Sequence, residues 1–306
     1  MPVCCPCVSG ALITLSSNFN NSVNRKSLQL SRFINLRCQV MFSVIRQLIG
    51  RFIPLRLKIF HRSIYNYYFG SDPELRLLRH LCDRDRAAID VGAHMGIYTF
   101  FLRAHSSSCI AIEPIPELRE ILYASFGRGI TILPFALSDQ EGTTTLRIPV
   151  ISGEKDRGRA TIEANNNLDA HPHQDLEIER KRLDGFEFPP VGIIKIDVEG
   201  HELAVLKGAR ALLERDHPVL IVEAEERHNA GAVTGIQEFL KGFGYHCYFL
   251  LDRHLYPLSE FDPARHQRLE NIGDMGKGAG LVYINNFIFL TDLECFPALQ
   301  KMGGTQ

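Results

Sequence analysis

Short apolar runs at residues 87–92, 109–113, 130–136, 192–197 and 218–223 alternate with stretches of helical spacing at 96–105, 116–126, 201–215 and 233–243. Apolar runs of that length, bounded by Gly, Pro or Asp, predict strands buried on both faces. The stretches between them predict the helices that cover such strands. The repetition predicts an α/β fold, with a mostly parallel sheet and helices on both faces. Later apolar runs at 247–251 and 286–290 are expected to supply an antiparallel C-terminal edge.

Residues 140–190 break this rhythm. Thr143–Val150 alternates apolar and polar positions, as a hairpin strand does. Residues 152–175 are polar and rich in Gly, Asn, His and Asp, which suits a binding loop or a disordered lid. Upstream, Phe42, Ile45, Leu48, Ile49, Phe52 and Ile53 recur at helical spacing with Arg46 and Arg51 between them. They predict a basic amphipathic helix that Pro54 ends or kinks. Such a helix lies on an anionic membrane surface, or packs on the domain edge or a partner subunit. Tyr65, Tyr67, Tyr68 and Phe69 follow, then a helix expected over 72–82, capped by Asp72 with Pro73 in its first turn. The chain therefore divides into a disordered extension at 1–40, a basic amphipathic segment at 41–69, and a domain at 70–298 with a polar insertion at 140–190.

Charge sharpens this division. The 34 basic and 35 acidic residues nearly cancel. Residues 1–70, however, hold nine Lys or Arg and no Asp or Glu, which leaves the remainder with 25 basic against 35 acidic residues. An acidic body excludes nucleic acid as the main partner, because a phosphate backbone requires a basic face. The eight cysteines show no Cys/His zinc spacing. With no apolar run near the ~20 residues of a membrane span, the expected location is cytoplasmic, with peripheral contact at the inner membrane face through 41–60.

The candidate chemistry lies where strands end. Asp90, Gly92, His94 and Gly96 follow the first strand. Gly92 allows a sharp turn and close backbone approach by a ligand, and Gly96 allows the next helix to pack closely. Asp90 suits a positively charged ligand end. His94 stands where G-x-G-x-x-G would need its second glycine, and no P-loop Lys-Ser/Thr pair follows, so neither NAD nor ATP is favoured. The second strand ends at Glu113, twenty-one residues after Gly92. A carboxylate there can accept both hydroxyls of a ribose. Ser138 and Asp139, after the third strand, contact an adenine edge or form a simple turn before Gly142.

The fourth strand runs into Lys195-Ile-Asp-Val-Glu-Gly-His-Glu202. Strand alternation points Lys195 and Asp197 to one side. Asp197, Glu199 and His201 stand at the rim as candidate general bases, while Glu202 also suits the first turn of a helix. Glu223 ends the fifth strand and faces the same cleft. Asp197 and Glu223 together offer a cation two carboxylates, so the need for a metal stays open. Glu226 and Arg227 read as surface.

In this order, Ile89–Gly96, Glu113-Pro114, Ala136–Asp139, Lys195–Glu202 and Leu206–Ala209 resemble the FkbM family of S-adenosylmethionine-dependent methyltransferases. The resemblance spans about 70–292. His94 departs from the family pattern, which often has Asn there. The resemblance implies a class I methyltransferase (Rossmann-like) fold and S-adenosyl-L-methionine as cofactor, held by Asp90, Gly92, His94, Gly96, Glu113, Ser138, Asp139 and Asp197. It also implies O-methylation of a small-molecule or oligosaccharide acceptor, often a sugar hydroxyl. Rhizobial enzymes that 2-O-methylate fucose on nodulation factors are similar. Two other classes compete: an NAD-dependent oxidoreductase with a degenerate fingerprint, and a non-catalytic adenosine-binding module held at membranes through 41–60. Oligomeric state is not legible.

Overall fold

The computed structural model describes residues 53–70, 72–151, 153–163, 172–268, 270–271 and 283–301. The expectations for 1–40 and for most of the 41–60 helix fall outside them. Among the described residues no helix is long and apolar enough to cross a membrane.

Strands take the places where apolar runs meet. In chain order they are β1 (Ala87–Val91), β2 (Ser108–Ile112), β3 (Thr131–Leu133), β4 (Ala136–Leu137), β5 (Gly142–Ile151), β6 (Glu154–Lys155), β7 (His173–Lys181), β8 (Val191–Ile196), β9 (Val219–Glu223), β10 (His246–Leu251), β11 (His254–Pro257) and β12 (Asn286–Leu290). The main sheet has the order β11-β10-β12-β9-β8-β1-β2-β3. Its β3-β2-β1-β8-β9 portion is parallel throughout.

Alternation within these strands builds two cores. Ile89, Val91, Ile194, Ile196, Leu220 and Val222 meet Val205, Leu206, Leu213, Val233, Ile236 and Leu240 of the helices Glu202–Lys207, Arg210–Asp216 and Ala232–Lys241. On the opposite face Ala88, Cys109, Ile193 and Ile221 meet Leu75, Leu78, Leu81, Phe101 and Leu102. The expected layering, with helices on both faces, is therefore present. Cys109 and Cys247 pack as small buried apolar groups within it. A further helix, Leu55–Phe69, lies on the helices Ile97–His105 and Pro116–Phe126 and stacks Tyr67 on Phe101. Pro54 thus precedes a helix, and the aromatic run at 65–69 is its last turn.

Several expected elements differ in detail. The run 130–136 splits at Pro134, which has no N–H to donate, and Ala136–Leu137 joins a second sheet of order β4-β7-β5-β6. Residues 173–175 are strand rather than loop, because β7 pairs antiparallel with β5 from Gly142↔Arg180 to Pro149↔His173. The helix expected at 201–215 breaks at Gly208, where an added Cβ would stand 2.1 Å from the Ser138 carbonyl oxygen. Segment 286–290 is not an edge: β12 sits between β9 and β10, antiparallel to both, and β11 forms the edge. Residues 72–82 form a 3₁₀ turn at Pro73–Arg76 and a single α-turn at Leu78–Leu81, and Asp72 makes no side-chain cap bond.

Candidate active site

The carboxyl ends of β1, β2 and β8 lie side by side, where an open parallel sheet holds its ligands. After β1 the chain reverses at Gly92, with φ of 76°. A Cβ at Gly92 would stand 1.9 Å from the Asp197 carbonyl oxygen, so this glycine lets the two motif loops touch. His94 follows at φ 49°, and its N–H donates to Glu113 Oε2 at 2.8 Å. The Ile115 N–H donates to Glu113 Oε1 at 2.9 Å. Glu113 is only 3 % exposed. Burial raises its carboxyl to about 7, against the pull of those two N–H bonds.

A cleft of about 750 Å³, its mouth included, opens between these loops. Gly92, His94 and Glu113 line it from β1 and β2, while Asp197, Glu199 and His201 line it after β8. Ile115, Leu137, Leu146 and Ile162 give it apolar walls. Arg157 and Thr161 add polar groups from the segment after β6. The fold thus brings Gly92, His94, Glu113, Asp197, Glu199 and His201 together.

Asp90, Gly96, Ser138 and Asp139 do not line the cleft. Strand alternation turns Asp90 to the other face of β1, where it accepts a hydrogen bond from Thr99 Oγ1 at 2.5 Å. Burial raises its carboxyl to about 6. Gly96 packs under the Pro116–Phe126 helix, where a Cβ would lie 2.6 Å from the Phe126 ring. Ser138 is buried behind His201, with its Oγ 3.0 Å from His201 Nε2 and 3.3 Å from Asp139 Oδ1.

Behind Asp197 lies a buried charged cluster. Lys195 is 1 % exposed. Its ammonium donates to Asn286 Oδ1 at 2.9 Å and stands 3.8 Å from Asp197 Oδ2 and 3.7 Å from Glu223 Oε2. It also lies 4.9 Å from the centre of the Tyr98 ring. Burial opposes its charge, but Asp197 and Glu223 outweigh that and hold its pKa above the ordinary lysine value. Glu223 is pushed well up by burial and by Asp197, and its Oε1 accepts from Asn285 Nδ2 at 2.6 Å. The place that two carboxylates offered a cation is therefore filled by the chain's own ammonium. Among the described residues no group of three His, Cys, Asp or Glu side chains could hold a metal.

The other ionisable groups of the 195–202 motif have local partners. Glu199 Oε2 lies 2.9 Å from His228 Nε2, and burial raises the Glu199 carboxyl against that contact. Glu202 accepts the Gly200 N–H at 2.9 Å and clasps the loop; burial takes it to about 7. His201 Nδ1 lies 2.9 Å from Glu163 Oε2, so both of its ring nitrogens are engaged. Arg227 is not a free surface group: it forms an ion pair with Glu225, which Tyr283 also contacts. Glu226 accepts the Gly231 and Val233 N–H groups at the start of the Ala232–Lys241 helix.

The segment from Glu154 to Glu163 straps the cleft. At one end Arg157 Nη2 lies 3.5 Å from Glu117 Oε1. At the other, Thr161 Oγ1 donates to the Glu199 carbonyl at 2.8 Å and Glu163 holds His201. Sequence reasoning placed a binding loop here but named none of Arg157, Thr161 or Glu163. Nor did it name Tyr98, Asn286 or His228, whose partners lie far away along the chain.

A family match covers this arrangement of motifs. The family description Methyltransferase FkbM domain matches residues 90–247. The hexuronic acid methyltransferase AglP of Haloferax volcanii is 25 % identical over 155 residues, covering 50 % of this chain and 62 % of that relative. The match therefore spans less than two thirds of the relative's length. The crystal structure of methyltransferase FkbM from Methylobacillus flagellatus aligns with TM-score 0.41 and 17 % identity, over 79 % of this chain and 59 % of that one. A Streptococcus mutans protein in complex with SAH aligns with TM-score 0.38 and 10 % identity, over 71 % and 96 %. With the family match covering just over half of its length, the chain belongs to the methyltransferase FkbM family.

Proposed function

We propose that this chain is an S-adenosylmethionine-dependent O-methyltransferase acting on a hydroxyl of a sugar or glycoconjugate. The observation that carries this reading is that Glu113 and Asp197 line one cleft together with apolar walls. The cofactor fits that donor set. The two N–H bonds leave each Glu113 oxygen further capacity to accept from a ribose hydroxyl. Ile115, Leu137 and Leu146 suit the faces of a purine. Bound there, the cofactor supplies an electrophilic methyl group on a sulfonium.

The chain's residues then have three tasks. Glu113 and the Gly92 turn fix the cofactor's orientation. The strap at 154–163 excludes water and narrows the acceptor's approach. Asp197 takes the proton of the acceptor hydroxyl. Of the three candidate bases it is the most exposed, at 34 %, whereas Glu199 is held by His228 and His201 by Glu163 and Ser138. Lys195 and Glu223 position Asp197 from behind.

The sugar acceptor is supported by the name of the Haloferax relative and by the polar strap beside an apolar wall. Calorimetry tests the cofactor: binding of S-adenosylhomocysteine is expected, and binding of NAD in its place overturns the reading. Incubation with methyl-labelled cofactor and a glycan panel tests the acceptor, with hexuronic acids and the fucose 2-hydroxyl of a lipo-oligosaccharide as two arms. Label transfer to none of the glycans by a protein that binds the cofactor sinks the sugar reading alone.

A further inference from the structure

The Leu55–Phe69 helix presents an unusual outer face. Leu57, Phe60, Tyr65, Tyr68 and Phe69 are each 51–72 % exposed, and among the described residues the only other large apolar side chain so exposed is Tyr123. The inner side buries Ile59 and Ser63. At 100° per residue, Leu57, Tyr65, Tyr68 and Phe69 fall within about 120° of arc, opposite that buried side. Arg56, Lys58, His61 and Arg62 are exposed on the same helix. Residues 1–70 contain no acidic residue to neutralise them.

This composition selects among occupants. A second copy docking the same face would set lysine and arginine against their own like, which is unfavourable in a two-fold interface. Tyrosine rings beside lysine and arginine suit the headgroup zone of a bilayer, where ring bodies enter the acyl boundary and polar tips stay wet. Fifteen residues give a helix about 22 Å long, enough to lie in the interface but not to span it.

We propose that the Leu55–Phe69 helix docks the enzyme on an anionic lipid bilayer, with Leu57, Tyr65, Tyr68 and Phe69 entering the interface and Lys58 meeting lipid headgroups. The helix also adjoins the cleft. Arg62 Nη1 lies 3.2 Å from Met95 Sδ, and Met95 follows His94, which lines the cleft. A docked helix therefore holds the cleft close to the membrane surface. The docking surface stands apart from the catalytic reading, so either can fail alone.

Sedimentation of the full chain with vesicles tests it. Binding is expected to phosphatidylcholine vesicles holding about a third phosphatidylserine, weaker to phosphatidylcholine alone, and to fall at high salt. Lys58→Glu should lower the partition about fivefold or more. The combined Tyr65→Ser, Tyr68→Ser and Phe69→Ser variant should abolish it with the melting temperature unchanged. The chain has no tryptophan, so Tyr68→Trp gives a single fluorescent reporter. Its emission should shift to the blue on vesicles. Vesicle binding with no shift, or undiminished in these variants, overturns the proposal. So does absent binding with loss of an oligomer in the serine variant, which would make the face a contact between copies.

Discussion

The Lys195 ammonium stands 3.8 Å from the carboxylate of Asp197, two residues further along and just past the end of β8. This pair joins the buried sheet to the open cleft. Lys195 is enclosed, whereas Asp197 reaches solvent. Replacing Lys195 with Met leaves Glu223 and Asp197 without their shared cation. Breaking a buried pair from one side costs about 3–5 kcal/mol. Chemical denaturation at neutral pH should show a loss of that order for Lys195→Met. A much smaller loss would mean that Asn285 and solvent already satisfy the carboxylates.

Asp197→Asn keeps the shape of the side chain and removes its ability to take a proton. Removing a general base lowers turnover by about 10²–10⁴-fold. Single-turnover assays should show that drop, while calorimetry with S-adenosylhomocysteine shows affinity within a few-fold of the parent. Full turnover in Asp197→Asn would remove Asp197 from the chemistry and return attention to His94, whose ring lines the same cleft and is held toward its neutral form by burial.

The parallel half of the sheet was legible because β1, β2, β8 and β9 are nearly continuous apolar runs. The motif turns were legible because Gly92 and Gly200 fall directly after or near strand ends. β7 was not, since His-Gln-Asp-Leu-Glu-Ile-Glu-Arg-Lys carries only two apolar residues and owes its strand form to pairing with β5. The site was legible as motifs but not as contacts. Nothing local indicates that Asn286 receives the Lys195 proton donor across 91 residues, or that Glu163 holds His201 across 38. The placement of Asp90 was not legible either. Its motif position suits a ligand, but alternation along a strand turns neighbours to opposite faces, and Asp90 lies on the face that packs against Thr99.

The strap over the cleft is latched by the Glu163–His201 contact at 2.9 Å and by Thr161 on the Glu199 carbonyl. Both latches are side-chain bonds beside the backbone pair that ties Thr161 to Arg147 of β5, so the Glu163–His201 contact should govern opening at the end of the strap beyond that pair. Glu163→Ala is expected to speed amide exchange at that end of the strap by several-fold and to leave β1 and β8 protected. Hydrogen exchange with mass spectrometry measures this directly. Equal exchange in the variant and the parent would show that packing of Ala160 and Ile162 closes the strap.

Asp90 gives a pH test of the fold. Burial raises its carboxyl from an ordinary 3.8 to about 6, against the favourable Thr99 bond. A carboxyl with a raised pKa binds its proton more tightly in the folded state than in the unfolded one. Its contribution to stability is therefore fully present below about 3.8 and is lost as pH rises through about 6. Asn at this position carries no charge and still accepts from Thr99 Oγ1. Asp90→Asn should accordingly remove a cost on the order of 3 kcal/mol above pH 6 and change little near pH 4. Denaturation of both proteins across pH 4–8 measures the difference, which should grow with pH and level off above 6. A difference constant with pH would mean that Asp90 stays charged throughout, its ionised form held by Lys195 beside it in register.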